Sequence, residues 1–150
     1  MRKSTKLAVV FAAAMLLVVG FAMTAIAGTA HWDSSTGQWQ YINADGDVVT
    51  NDKIKWQGKY YFVDEDGNLV TNKLWEFDGA RYYTDANGNL VTGWVKVPAD
   101  EADEELEVTY RWYYFQSSGK AFTANNYATG VQYKTIDGKR YKFDTDGKML

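Results

Sequence analysis

Carboxylates and glycines recur together in this 150-residue chain, in an arrangement that resembles calcium-binding loops. Asp-x-Asp-Gly occurs at residues 64–67 and again at residues 144–147. An EF-hand loop needs a further oxygen ligand and a bidentate Glu at its twelfth position, which is Trp75 when counted from Asp64. Asp and Gly are also the residues that tight turns favour. The pattern therefore predicts turns, and no metal or cofactor is expected.

Acidic residues are densest between residues 98 and 109, where six carboxylates fall between Asp100 and Glu107. A glycosidase needs two carboxyl groups at a fixed separation across a cleft, one of them partly buried. A charged, self-repelling insertion supplies neither condition. His31 is the only histidine, so a Ser-His-Asp triad or a histidine metal site is not expected. The sequence thus predicts no catalytic residues and no enzyme activity.

The dominant feature of the chain is an internal repeat, which is typical of stacked architectures. GNLVT occurs at residues 67–71 and again 21 positions later, at residues 88–92. Five units align on turn glycines at positions 46, 67, 88, 119 and 147, over residues 37–51, 58–72, 79–93, 110–124 and 138–150.

Each unit reads as strand, turn and strand. Two-residue hairpin turns are expected at the residue pairs that end in the turn glycines: Asp45-Gly46, Asp66-Gly67, Asn87-Gly88, Ser118-Gly119 and Asp146-Gly147. A brief returning strand would follow, with Val48, Leu69, Leu90, Ala121 and Met149 at one equivalent position. A lone hairpin is marginal in water, whereas stacked hairpins bury one another's aromatic faces. The expected fold is therefore all-β, with tandem β-hairpins stacked as a β-solenoid.

The N-terminus has the features of an export signal. Three basic residues precede an uncharged apolar run, and small residues at Ala25 and Ala27 give a cleavage site. We expect a signal helix in residues 1–27 and a repeat domain in residues 28–150, with the acidic insertion near 98–109. An uncleaved membrane anchor is the alternative, since residues 7–27 are long enough to span a bilayer. Loss of the signal would leave 13 basic and 19 acidic residues, a balance that disfavours nucleic acid.

The repeat units resemble the cell-wall-binding repeats of Gram-positive surface proteins, also called choline-binding or glucan-binding repeats. The resemblance is carried by VTGW at 91–94, RWYYF at 111–115, GKYYF at 58–62 and GARYYTDANGNLVTGW at 79–94. It implies hairpin rungs with ligand held between successive rungs by aromatic side chains, as a cage for choline or a platform for sugars. The position of Trp94, directly after the Thr-Gly of the motif, is filled in other copies by Asp52, Lys73 and Val131, each after Thr-Asn or Thr-Gly.

The resemblance implies ligand contact first at Trp94 and Trp112, then at Tyr83 and Tyr114, and further at Trp39 and Tyr60. The expected function is a secreted, cell-wall-associated, non-enzymatic protein that binds choline-bearing teichoic acid or glucan. The alternative is a protein-interaction or extracellular matrix component that uses the repeats as a rigid scaffold. An open edge on the terminal hairpin would also allow self-association. Ligand identity and the number of sites stay open at the level of sequence.

Overall fold

The computed structural model describes residues 30–99 and 107–150, and within these ranges all regular structure is β. Ten strands form five separate two-stranded antiparallel sheets, each made by strands consecutive in the chain. The strands are β1 His31–Asp33, β2 Gln40–Ile42, β3 Asp52–Trp56, β4 Lys59–Val63, β5 Lys73–Phe77, β6 Ala80–Thr84, β7 Gly93–Pro98, β8 Tyr110–Phe115, β9 Val131–Ile136 and β10 Lys139–Asp144. The predicted all-β series of hairpins is confirmed.

Three of the hairpins turn at a two-residue connection whose residues both have positive φ, which matches the twist of antiparallel strands. These connections are Gln57-Gly58 between β3 and β4, Asp78-Gly79 between β5 and β6, and Asp137-Gly138 between β9 and β10. The acidic insertion connects β7 to β8, so it lies at the tip of one hairpin and not between two hairpins as the sequence suggested. Its residues 100–106, and the predicted export signal at 1–27, lie outside the described residues.

The predicted two-residue turns at the Asp-Gly pairs are wrong, because each turn is a three-residue loop that ends in the glycine. In the second copy the Asp64 amide donates to the carbonyl of Asn68, and the Gly67 amide donates to the carbonyl of Asp64. The Asp64 carboxylate accepts from the amides of Asp66 and Asn68 at 3.0 and 2.8 Å, which preorganises the loop. Equivalent side-chain bonds occur at Asn43, Asp85 and Asp144.

The returning segment after each loop is as brief as predicted. It makes a single-residue antiparallel bridge to the strand that precedes the loop: Ile42 with Val48, Val63 with Leu69, Phe115 with Ala121, and Phe143 with Met149. Leu90, the fifth predicted position, also lies in an isolated bridge, so all five predicted equivalent positions act alike.

The described residues form two compact units. The first contains residues up to Lys73 together with Thr84–Asn89. Its core is built from Trp32, Ile54, Tyr61, Val63 and Leu69. Neighbouring hairpins are joined by their backbones, since the Leu69 amide donates to the carbonyl of Trp39 at 2.7 Å.

The second unit contains residues 74–83 and 90–150. Its buried core is built from Val97, Tyr113, Phe115 and Ala121, with Leu74, Tyr83 and Val95 packed against it. The backbone bond seen in the first unit recurs here twice: Ala121 donates to Arg81 and Met149 donates to Trp112, each at 2.8 Å. Within a unit, then, the segment after each loop is tied to an earlier strand of the stack.

Strand pairing corrects the register that the sequence suggested for the Trp94 position. Trp94 lies opposite Tyr114 in the β7–β8 hairpin. The equivalent residue in the β3–β4 hairpin is Lys53, which lies opposite Phe62. In the β9–β10 hairpin it is Tyr133, which lies opposite Lys142. Alignment on the preceding Thr-Asn or Thr-Gly had placed Asp52 and Val131 there. That alignment fails because a strand's register is fixed by its own partner strand and not by the segment before it.

Candidate functional site

The candidate site begins on the outer face of the β7–β8 hairpin. Trp94 is paired with Tyr114, and Lys96 with Trp112, so the four side chains share one face of the ladder. The opposite face carries Tyr113 and Phe115, which are buried in the core of this unit. Burial of the inner face therefore fixes which way Trp94 and Trp112 point.

Two of the predicted residues form a corner. The Trp94 and Trp112 rings have centroids 6.4 Å apart and planes at 83°, so their faces meet nearly at a right angle. Tyr114 packs against Trp94 at 5.3 Å with its ring at 65°. All three side chains are half-buried. A cation in such a corner can contact two π faces within the roughly 6 Å over which the attraction acts.

The next hairpin contributes residues that sequence reasoning did not select. Tyr141 of β10 packs against Trp94, with ring centroids 4.7 Å apart and planes at 63°. Phe143, fully buried, stacks on Trp94 at 5.9 Å and 20°. The alternation of aromatic residues in GKRYKF, combined with the expectation that ligand lies between successive hairpins, was the signal that could have identified Tyr141.

Lysines approach this aromatic cluster at its edges. The Lys139 ammonium lies 5.3 Å from the Tyr141 ring centroid, and the Lys134 ammonium lies 4.8 Å from Phe122 and 6.0 Å from Tyr114. Between residues 30–99 and 107–150 no lysine or arginine is recorded over the ring of Trp94 or Trp112. Lys96 shares the face of the tryptophan corner and directs its ammonium to the ring of Tyr110, at 3.6 Å from the centroid.

The remaining predicted residues lie elsewhere. Tyr83 packs on Phe115 at 6.3 Å at the edge of the second unit's core. Trp39 packs against the first unit's core, and Tyr60 is exposed on the β3–β4 hairpin. The structure therefore brings Trp94, Trp112 and Tyr114 together and places Tyr83, Trp39 and Tyr60 outside that cluster.

A second group of rings, in the first unit, is mainly core. Trp32 is buried and meets Tyr41 at 5.2 Å and Tyr61 at 5.6 Å, in edge-to-face contacts that aromatic pairs favour. Burial, with a smaller contribution from the carboxylate of Asp85, raises the pKa of Tyr61. These rings stabilise the unit and leave little surface for a ligand.

Asp33 is another carboxylate that accepts hydrogen bonds within a turn. Asp33 accepts a 2.6 Å hydrogen bond from the Ser35 hydroxyl, which lowers the pKa of Asp33.

Within residues 30–99 and 107–150, no three His, Cys, Asp or Glu side chains are grouped so as to hold a metal ion. The same residues include no helix with the length and apolar character needed to span a membrane.

Fold and site together define an all-β repeat protein whose hairpins present aromatic residues on one face. The family described as a cell wall binding repeat matches residues 111–121, the segment that contains β8 and its loop. The predicted resemblance is thereby confirmed at this copy. No curated protein sequence matches the chain.

Solved structures extend the likeness over most of the chain. Choline binding protein F from Streptococcus pneumoniae, solved in the presence of a peptidoglycan analogue, is 26% identical, with a TM-score of 0.53 over 81% of this chain and 34% of that one. CbpJ from Streptococcus pneumoniae is 22% identical, with a TM-score of 0.56 over 81% of this chain and 36% of that one. The modular autolysin LytC from Streptococcus pneumoniae is 20% identical, with a TM-score of 0.57 over 82% of this chain and 24% of that one.

The last two structures show the likeness of the fold alone. The chain spans about a third or less of the length of each of these three proteins. The chain thus carries a cell wall binding repeat on a fold like that of choline-binding proteins.

Proposed function

We propose that this protein is a non-enzymatic cell-wall-binding module that holds the quaternary ammonium of choline in the corner between Trp94 and Trp112. The observation that carries the proposal is the perpendicular arrangement of these two rings at 6.4 Å, with Tyr141 closing a third side. A quaternary ammonium cannot donate hydrogen bonds, so π faces are the groups that recognise it. Tyr114 supports the corner by packing on Trp94.

The wider proposal is that the hairpins form a β-solenoid in residues 28–150 and that residues 1–27 direct export to the cell wall. The backbone bonds that tie each returning segment to an earlier strand support stacking inside each unit. The basic, apolar and small-residue pattern of the N-terminus supports export. Choline-bearing teichoic acid is the polymer that we expect the protein to bind, through several weak contacts along one chain.

The test is retention on a choline resin, compared with a glucan resin and with whole cell walls. Removing one ring of a desolvated cation site costs about 0.5–2 kcal/mol, or roughly 2- to 30-fold in affinity. We therefore expect Trp112→Leu and Tyr141→Leu each to weaken choline binding within that range. Tyr141→Phe, which keeps the π face, should bind choline nearly as well as the unaltered protein.

Tyr127 supplies the matched control, because its ring is 87% exposed and Tyr127→Leu removes an aromatic residue from outside the cluster. Near-ultraviolet circular dichroism verifies that each variant keeps its packed aromatic core. Equal retention of Trp112→Leu and the unaltered protein on choline would refute the site. Retention on glucan without retention on choline would refute the assignment of choline as the ligand. Retention on neither resin, together with capture of a protein partner, would favour the alternative in which the repeats are a rigid scaffold.

A further inference from the structure

The β3–β4 hairpin carries a different chemistry at the two positions that form the tryptophan corner. Strand register places Lys53 where the β7–β8 hairpin has Trp94, and Tyr60 where it has Trp112. Lys55 is paired directly with Tyr60 and shares its face. At these three positions the β3–β4 hairpin presents two cations and one ring, whereas the β7–β8 hairpin presents Trp94, Trp112 and one cation, Lys96.

Both lysines converge on the same ring. The Lys53 ammonium lies 5.1 Å and the Lys55 ammonium 5.8 Å from the Tyr60 ring centroid, and both lysines are exposed. Tyr60 itself keeps 42% of its surface exposed. Because like charges repel, this face disfavours a quaternary ammonium, and the chain's own cations already use the attraction of the ring.

No acidic residue stands among the β3 and β4 residues that share this face, which are Lys53, Lys55, Tyr60 and Phe62. The nearest carboxylate in sequence, that of Asp52, accepts from the Lys53 amide at 2.7 Å and belongs to the opposite face by strand alternation. The ion pairs recorded among residues 30–99 and 107–150 all belong to Arg81 and include neither Lys53 nor Lys55. Two adjacent ammonium groups without a carboxylate between them favour an anion.

The β9–β10 hairpin offers an instructive contrast at the same two positions. There Arg140 lies 4.1 Å over the ring of Tyr133, so one cation is matched with one ring. Tyr60, in contrast, is approached by two ammonium groups whose charges repel each other. An anion that contacts both would relieve that repulsion, which favours the β3–β4 face over the β9–β10 face as an anion site.

We propose that the outer face of the β3–β4 hairpin binds an anionic sugar, with the apolar face of the sugar on Tyr60 and its phosphate or carboxylate between Lys53 and Lys55. The site is separate from the tryptophan corner and takes a ligand group of opposite charge. A wall glycopolymer that bears both cationic and anionic substituents would then be recognised by two kinds of contact.

Titration of the isotope-labelled full chain with glucose 1-phosphate and with glucuronate, followed by amide NMR, tests the proposal. We expect saturable shifts at Lys53, Lys55 and Tyr60 with at least one of these probes, and the tighter probe identifies phosphate or carboxylate as the anionic group. Glucose should produce no saturable shift. Raising the salt concentration from about 0.05 to 0.5 M should weaken binding several-fold, because exposed charges are screened.

The variant Lys53→Gln/Lys55→Gln should lose at least about fivefold in affinity, and Tyr60→Ala should lose a similar amount by removing the platform. Lys59→Gln is the matched control, because Lys59 is exposed on the same hairpin but alternates to the other face. The proposal is overturned if neither probe saturates, if the double variant binds as well as Lys59→Gln, or if inorganic phosphate binds as tightly as glucose 1-phosphate. Choline retention of the double variant should be unchanged, so this result is independent of the function proposed above.

Discussion

Two loop glycines offer a direct test of hairpin stacking in the first unit. Gly46 and Gly67 occupy the same position of consecutive three-residue loops, with φ of 89° and 80°. A Cβ added at Gly46 meets no atom within 4 Å, whereas a Cβ at Gly67 runs into the side chain of Val48 and lies 3.1 Å from the carbonyl oxygen of Val49. The same substitution therefore carries a backbone cost at both positions and a steric cost at only one.

The magnitudes follow from these surroundings. A non-glycine residue in the left-handed region costs about 1–2 kcal/mol, reduced by about 0.4–1 kcal/mol because alanine also restricts the unfolded chain. We expect Gly46→Ala to lower the free energy of unfolding by about 1 kcal/mol. Gly67→Ala adds the cost of overpacking, about 1–3 kcal/mol, since the backbone oxygen of Val49 cannot rotate away. The expected total for Gly67→Ala is about 2–4 kcal/mol.

Urea denaturation followed by tryptophan fluorescence measures both variants. The double variant Val48→Ala/Gly67→Ala should recover part of the loss, because it removes the side-chain clash and leaves the contact with the backbone oxygen. Equal losses for Gly46→Ala and Gly67→Ala, within about 0.5 kcal/mol, would refute the reasoning. That result would mean that the Gly67 loop does not rest on the segment after the first loop.

Three further predictions concern burial and protonation. Phe143→Ala should lower the free energy of unfolding by about 3–5 kcal/mol in urea, since Phe143 is fully buried, and a loss under about 1 kcal/mol would contradict its place in the core. Ser35→Ala should raise the pKa of Asp33 in a carboxyl NMR titration, because the Ser35 hydroxyl bond is the main cause of its lowering; an unchanged pKa would refute that cause. Because the pKa of Tyr61 is raised in the folded protein, the stability that this shift contributes is full below the unfolded pKa of about 10 and is lost as pH rises through the folded pKa. Tyr61→Phe should therefore flatten the decline of the unfolding free energy at alkaline pH. An equally steep decline in the variant would contradict this cause.

Sequence analysis predicted the class of fold but not the pairing of the strands. The repeated glycines and alternating aromatic residues predicted hairpins because period-2 alternation and positive φ are local properties. The turns that join the main strand pairs were overlooked, although Asp78-Gly79 and Asp137-Gly138 carry the favoured Asp-Gly pair, because the units were aligned on the glycines of the other loops. Register was misjudged at Asp52 for a related reason, since pairing is decided by contacts across the hairpin.

The candidate site was predicted in the same partial way. Trp94 and Trp112 were identified because they belong to one copy and to the motifs of the family. Tyr141 was not selected as a site residue because it reaches Trp94 from the following hairpin, a contact that no single copy contains. Contacts between neighbouring hairpins can be predicted only when it is known on which face of its strand each side chain lies.

The inner positions of the hairpins vary less than the outer pair, although the inner residue Tyr141 also packs on Trp94. At the inner positions the repeat keeps its residues nearly unchanged: Tyr61, Tyr113 and Tyr141 are equivalent, as are the fully buried or almost fully buried Val63, Phe115 and Phe143. At the outer pair of positions the residues differ in charge as well as in size. The pair is Trp94 and Trp112 in the β7–β8 hairpin, Lys53 and Tyr60 in the β3–β4 hairpin, and Tyr133 and Arg140 in the β9–β10 hairpin.

This division has a physical cause. An inner residue must fill a fixed volume between neighbouring hairpins, where a change of one methylene is felt, whereas an exposed outer residue such as Lys53 or Tyr60 has only to avoid a steric clash. We therefore expect the outer pair to change in charge from one hairpin to the next without altering the packing of the inner residues. On the two proposals above, the ligand of a copy depends on its outer pair and on any ring that the next hairpin brings to it, and not on the repeat motif as a whole.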